Sequence, residues 1–199
     1  MNQTTNTAWS VREDTDGEST STLRFLVLQD HKENRRKCTV EPLRAVQGVE
    51  LRRLRQPRPR ERPTDVPPGV LLEVDSEAPE LRADDLREPA TEARCLVLDA
   101  TWARVPSLRR RLTLDPQRHV RRSLPPGLVT AYPRRSKLYE DPGSGLATVE
   151  AIFAVSVIFG EPRADFLRSY VWRGVFLERN SEVLARLGPR DSVLREPTT

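Results

Sequence analysis

The chain has 199 residues, 33 Lys+Arg against 29 Asp+Glu for a formal charge of +4, and a hydrophobic content of 37%. That length holds one compact domain and excludes two full-sized ones, while 17 prolines against 9 glycines argue against an all-helical bundle. Two cysteines, Cys38 and Cys95, exclude a disulfide scaffold and an all-cysteine zinc ribbon, and they fit a reducing cytoplasm. No apolar run reaches membrane-span length, and the start lacks the basic and apolar regions of a secretory signal, so neither a membrane nor export is expected.

Residues 1–22, rich in Thr, Ser, Asn, Asp and Glu, read as a disordered acidic tail. Residues 23–29 (LRFLVLQ) have strand length and lead into the polar loop HKENRRKCT. A short helix is expected near 41–45 and a second strand over 49–54. The stretch RQPRPRERPTDVPP carries prolines 57, 59, 63, 67 and 68, a density that forbids helix and central strand, so 52–68 contains an extended arginine- and proline-rich excursion. Residues 70–74 (VLLEV) read as a third strand, 83–87 as a short helix, and 95–98 (CLVL) as a strand buried on both faces. A turn at 99–102 precedes helical spacing over 103–112, and LVTA at 128–131 reads as a fifth strand. The nearly unbroken apolar run 146–159 is too long for a strand and has Glu150 in its first turn, which suits the positive end of a helix, so a buried helix is expected. Residues 164–187 alternate at helical period, and 189–199 read as a flexible tail.

Strands alternating with helices predict an α/β domain with a mostly parallel sheet, whose ligands bind beyond the carboxyl ends of the strands. That rule singles out the loops at 37–39, 99–102 and 124–148. Classical nucleotide-binding, hydrolase-elbow and zinc-protease motifs are absent. With only His31 and His119 present, no metal site is expected; both histidines read as solvent-facing and without a role.

Charge is more informative than those absences. Thirty of the 33 cations are arginines. Residues 52–62 sum to +5, 104–137 to +9 and 73–99 to −6. Arginine's planar fork suits phosphate, so the concentration beside an expected ligand loop is the footprint of a polyanion such as RNA, although an arginine-biased composition would produce the same count. At the end of the buried strand, Asp99 could act as a base, orient a hydroxyl, or cap the next helix, and Trp102 could stack on a flat ring or simply pack.

Five segments, in order, resemble the small-subunit ribosomal RNA aminocarboxypropyltransferases of the DTW superfamily. HKENRRKCT is similar to the family's D-P-K-R-C-[ST] loop, placing Cys38 and Thr39 in that frame. LVLDATW at 96–102 is similar to its D-C-S-W motif, and LPPGLVTAYP at 124–133 to L-L-P-x-L-V-A-A-N-P. GLATVEA at 145–151 resembles K-L-S-x-V-E-A, and YVWRGVFLERN at 170–180 resembles F-K-W-G-x-x-F-L-E-L-N. The likeness covers about residues 23–188. Three departures stand out: Leu71-Leu72-Glu73-Val74 replaces a leucine-serine-proline segment, Ala131-Tyr132 replaces an alanine-asparagine pair, and the stretch from Tyr132 to Thr148 is about four residues longer.

The resemblance implies a SPOUT-like α/β fold with a knotted S-adenosylmethionine site, an N-terminal α/β portion over 23–93 and a cofactor-binding portion over 94–188. It implies transfer of a 3-amino-3-carboxypropyl group to N3 of a uridine or pseudouridine in RNA, ribosomal RNA before transfer RNA, with release of 5′-methylthioadenosine. Implied cofactor contacts are Thr39, Leu72, Ala100, Trp102, Leu124, Leu128 and Thr148, with Asp99 as candidate base. Arg109, Arg110, Arg121, Arg122, Arg134 and Arg135 are expected on one RNA-binding face. A transfer-RNA aminocarboxypropyltransferase (DATW leans towards the D-T-W signature), a SPOUT-like RNA methyltransferase and a non-catalytic RNA-binding or ribosome-assembly protein stay open, as does oligomeric state.

Overall fold

The structure is a computed structural model that describes residues 11–12, 22–35, 38–56, 58, 60–74, 77–88, 91–133, 145–188 and 194–195. Five strands, β1 (Arg24–Asp30), β2 (Val49–Leu54), β3 (Gly69–Glu73), β4 (Arg94–Asp99) and β5 (His119–Ser123), form one all-parallel sheet in the order β2-β1-β4-β3-β5. β4 lies between β1 and β3, so the portions before and after residue 93 share a single sheet.

Strand alternation sorts the core into two sides. Phe25, Val27, Val70, Leu72, Cys95 and Val97 join the larger cluster, which α3 (Thr148–Phe159) dominates. Leu26, Leu28, Leu71 and Leu96 face a smaller cluster closed by Leu54, Val66, Leu108 and Leu112. In α3, 11 of 12 residues are buried, as expected of a helix apolar all round. It stops at Gly160, whose φ of 92° is the left-handed conformation that glycine adopts without strain, and the Glu161 amide returns to the Ser156 carbonyl at 2.9 Å. Helices α1 (Ala83–Arg87), α4 (Arg173–Arg179) and α5 (Ser181–Leu187) contribute Leu86, Phe176 and Leu184 to the same side, while α2 (Val105–Arg109) contributes Leu108 to the other. Among the described residues no helix is long and apolar enough to cross a membrane.

Several expectations need correction. The fifth strand is His119–Ser123, not 128–131; the latter runs irregularly because side chains satisfy its backbone groups in place of a ladder. The helix expected over 103–112 is a 3-10 turn, Trp102–Arg104, followed by the short α2; Leu112–Thr113 instead pairs in parallel with Thr64–Asp65 at the end of the arginine-proline excursion. His119 is buried rather than solvent-facing: its Nδ1 accepts the Asp115 amide at 2.9 Å, and its Nε2 lies 3.3 and 3.2 Å from the Val66 and Pro67 carbonyls. The tails expected at 1–22 and 189–199 lie almost wholly outside the described residues; where they are described, Val11–Arg12 pairs in parallel with Leu194–Arg195.

Candidate active site

Gln29 and Asp99 are register partners at the carboxyl ends of β1 and β4, on the same side as α3. Both are buried, Asp99 retaining 8% exposure. Gln29 Nε2 donates to Asp99 Oδ2 at 2.9 Å, and the Thr148 hydroxyl, on the first residue of α3, donates to Asp99 Oδ1 at 2.8 Å. Cys38 Sγ lies 3.1 Å from Gln29 Nε2 and 3.6 Å from Asp99 Oδ2. Burial and the neighbouring Asp99 carboxylate push the Cys38 thiol up to about 12, so it stays protonated and donates to the carboxylate. Asp99 therefore does not cap the following turn; it joins two strands, a loop and a helix.

Arg53 of β2 fixes this arrangement from the side. Its guanidinium donates to Gln29 Oε1 at 3.2 Å and to the His31 and Glu33 carbonyls at 2.6 and 2.7 Å. The Glu33 carboxylate in turn accepts the Thr101 amide at 2.9 Å, tying the loop after β1 to the loop after β4. On the opposite side of β1, buried Asp30 accepts the Lys32 amide at 2.8 Å, Arg104 at 2.7 Å and Arg111 at 3.0 Å. Burial alone would raise the Asp30 pKa; the amide and the arginines outweigh it and hold the carboxyl below its ordinary value.

The 124–133 segment is pinned from two sides. Fully buried Glu150 accepts the Ala131 amide and Tyr170 hydroxyl on Oε1, each at 2.8 Å, and the Thr130 hydroxyl at 2.6 Å and Ala147 amide at 2.8 Å on Oε2. The Ala147 bond is also half of a capping box for α3. Asn180, fully buried, accepts the Val129 amide at 2.7 Å and donates to the Val129 carbonyl at 2.8 Å, as a strand partner would.

Of the residues expected to contact cofactor, Thr148 touches Asp99 and half-buried Thr39 follows Cys38 in the loop. Leu72 and Leu128 belong to one apolar cluster, and Leu124 packs against it. Ala100 packs on the opposite side, and half-buried Trp102 belongs to neither cluster. The arginines do not share one face. Arg121 and Arg122 are consecutive in a strand and point to opposite sides: Arg121, with Arg109, pairs with Glu73, whereas Arg122 pairs with Asp85 at 2.6 Å. Arg110 is exposed, and Arg134 and Arg135 lie outside the described residues. Sequence reasoning missed Gln29, Arg53, Glu150 and Asn180 as organisers of the site. For Gln29 the available signal was one polar residue closing an apolar strand.

No family model and no curated protein matches the chain. A solved structure does: that of the SAM-dependent rRNA:acp-transferase Tsr3 from Vulcanisaeta distributa, at 23% identity and a TM-score of 0.61, over 86% of each chain. The chain therefore has the α/β fold of that protein, with a central parallel sheet flanked by helices.

Proposed function

We propose that this chain is an S-adenosylmethionine-dependent transferase that places a 3-amino-3-carboxypropyl group on N3 of a uridine or pseudouridine in RNA, ribosomal RNA before transfer RNA, releasing 5′-methylthioadenosine. The observation that carries this reading is the junction at Asp99. Three of the five segments that resemble the family supply Cys38, Asp99 and Thr148 to one hydrogen-bonded cluster, at the strand ends where α/β folds bind ligands. The Tsr3 likeness supports the same fold, and a knotted SPOUT-like cofactor site belongs to the proposal.

The residues present fit the cofactor. Leu72, Leu124 and Leu128 offer a shared apolar wall for adenine, and the Trp102 ring is outside both apolar clusters. Thr148 donates its proton to Asp99, leaving its oxygen lone pairs to accept from an ammonium, with Thr39 as a second hydroxyl; Ala100 would contribute backbone. S-adenosylmethionine supplies a carbon already activated by the adjoining sulfonium. The chain's part is then to hold the base in line and to accept the N3 proton, for which Asp99 keeps an unused lone-pair site on Oδ1. Incubating the protein with labelled S-adenosylmethionine and RNA tests the reading. Methylthioadenosine supports it, S-adenosylhomocysteine identifies a methyltransferase, and the absence of both leaves a binding protein.

A further inference from the structure

Beside the Asp99 cluster the structure carries an aromatic group that the reaction does not use. Tyr132 and Trp172 meet edge to face with ring centroids 5.1 Å apart, and Tyr170 closes on Trp172 at 5.7 Å. Tyr170 is buried and spends its hydroxyl on Glu150, whereas Tyr132 and Trp172 are only partly buried. The pair is held close to the site by a short chain of bonds. The Tyr132 amide donates to the Thr130 hydroxyl at 3.0 Å, and that hydroxyl donates to Glu150, two residues along α3 from the Thr148 that reaches Asp99.

Its surroundings are unusual for a surface. Val171, beside Trp172 in sequence, is 83% exposed and Val175, three residues on, 39%, and the same stretch exposes Arg168, Arg173 and Arg179 together with Glu178. A partly exposed aromatic pair on a stretch that also exposes valines and three arginines combines an apolar surface with cationic groups. It suits an unpaired nucleobase, which stacks on a ring while the adjoining phosphates meet guanidinium groups.

We infer that Tyr132 and Trp172 form a stacking platform for an unpaired base of the RNA substrate, next to the nucleotide being modified. This rests on the RNA reading above. Tyr132 stands where the resembling family has asparagine, so the platform distinguishes this chain within that pattern.

The test measures binding of a labelled RNA hairpin with a uridine-rich loop to the full chain by fluorescence anisotropy. Tyr132→Leu keeps the apolar packing and removes the ring; Tyr132→Phe and Trp172→Phe keep a ring. Expected is a loss of RNA affinity of about fivefold or more in Tyr132→Leu, the lower end of base–aromatic stacking, and near-native affinity in both phenylalanine variants. S-adenosylmethionine affinity by calorimetry should be unchanged in all three, which shows that the fold and the cofactor site are intact. Equal RNA affinity for Tyr132→Leu and the wild-type chain overturns the platform while leaving the RNA reading standing. A wild-type chain that binds no RNA overturns both.

Discussion

Thr148 and Asp99 meet across 49 residues of sequence, hydroxyl to carboxylate at 2.8 Å, and so dock the first turn of α3 onto the end of β4. This bond decides how Asp99 can be tested. In Asp99→Asn the amide oxygen can keep the donation from Gln29 Nε2. The new NH2 group can then face Thr148, whose hydroxyl rotates to accept. Shape and satisfaction are kept while basicity is lost. Cofactor binding should stay intact and turnover should fall by about a hundredfold or more, the range for removing a general base. Near-normal single-turnover rates would make Asp99 structural.

Trp102 packs in neither apolar cluster, so truncating it should leave the fold almost unchanged. If its ring lies on adenine, Trp102→Ala weakens S-adenosylmethionine binding by about 1–3 kcal/mol. Calorimetry together with a melting curve separates the two effects. Unchanged affinity removes Trp102 from the site.

The arginines divide by partner. Arg109 and Arg121 already share Glu73, and Arg122 is paired with Asp85, whereas no ion pair involves exposed Arg110 among the described residues. RNA affinity should fall steeply with salt. Arg110→Ala should flatten the log–log slope by about 0.7 if it contacts one phosphate of a single strand. Arg122→Ala should flatten it less and should also lower stability, because Asp85 loses its guanidinium partner and keeps the Arg82 amide. Salt-insensitive binding would remove the polyanion argument.

Asp30 predicts a pH dependence of stability. Its carboxyl is held below the ordinary value of 3.8, so the unfolded chain takes up the proton first as pH falls. The contribution of Asp30 is complete above that ordinary value and is lost as pH drops through the lower folded one. Asp30→Asn should therefore destabilise the protein near pH ~7, and the gap to wild type should narrow in acid. A gap in denaturation midpoint that stays constant from neutral to acid pH would contradict this.

How much of this was legible depended on where side-chain chemistry was visible as a pattern. Apolar runs gave β1, β3, β4 and α3, the stretch from Val49 to Leu54 was read as a strand despite its charges, and the periodic spacing gave the closing helices. His119–Ser123 was invisible because it is an edge strand whose arginines satisfy partners on either side. Residues 128–131 looked like a strand for the opposite reason: they are apolar, but Asn180 and Glu150 take the places that a neighbouring strand would fill. Asp99 and Thr148 were found through motif likeness. Gln29 could not be, since its importance comes from register pairing with Asp99. Counting arginines likewise could not reveal that Arg121 and Arg122 face apart, because alternation belongs to a strand that had not been recognised.

Glu150 offers the sharpest structural test. Each of its oxygens accepts one hydroxyl and one backbone amide: Tyr170 with Ala131 on Oε1, Thr130 with Ala147 on Oε2. Glu150→Gln has nearly the same size, but its NH2 must replace one of these oxygens. A hydroxyl can rotate to accept from that NH2; a backbone N–H cannot. Whichever way the amide is turned, the Ala131 or the Ala147 amide faces another donor in a fully buried place. Leaving one buried donor unsatisfied costs about 1–3 kcal/mol, so chemical denaturation should show a loss in that range. The damage should concentrate where the bond is lost, with faster hydrogen exchange at Thr130 to Tyr132 or at the start of α3. A stability within about 0.5 kcal/mol of wild type, the usual scatter for neutral substitutions, would show that Glu150 does not hold this loop.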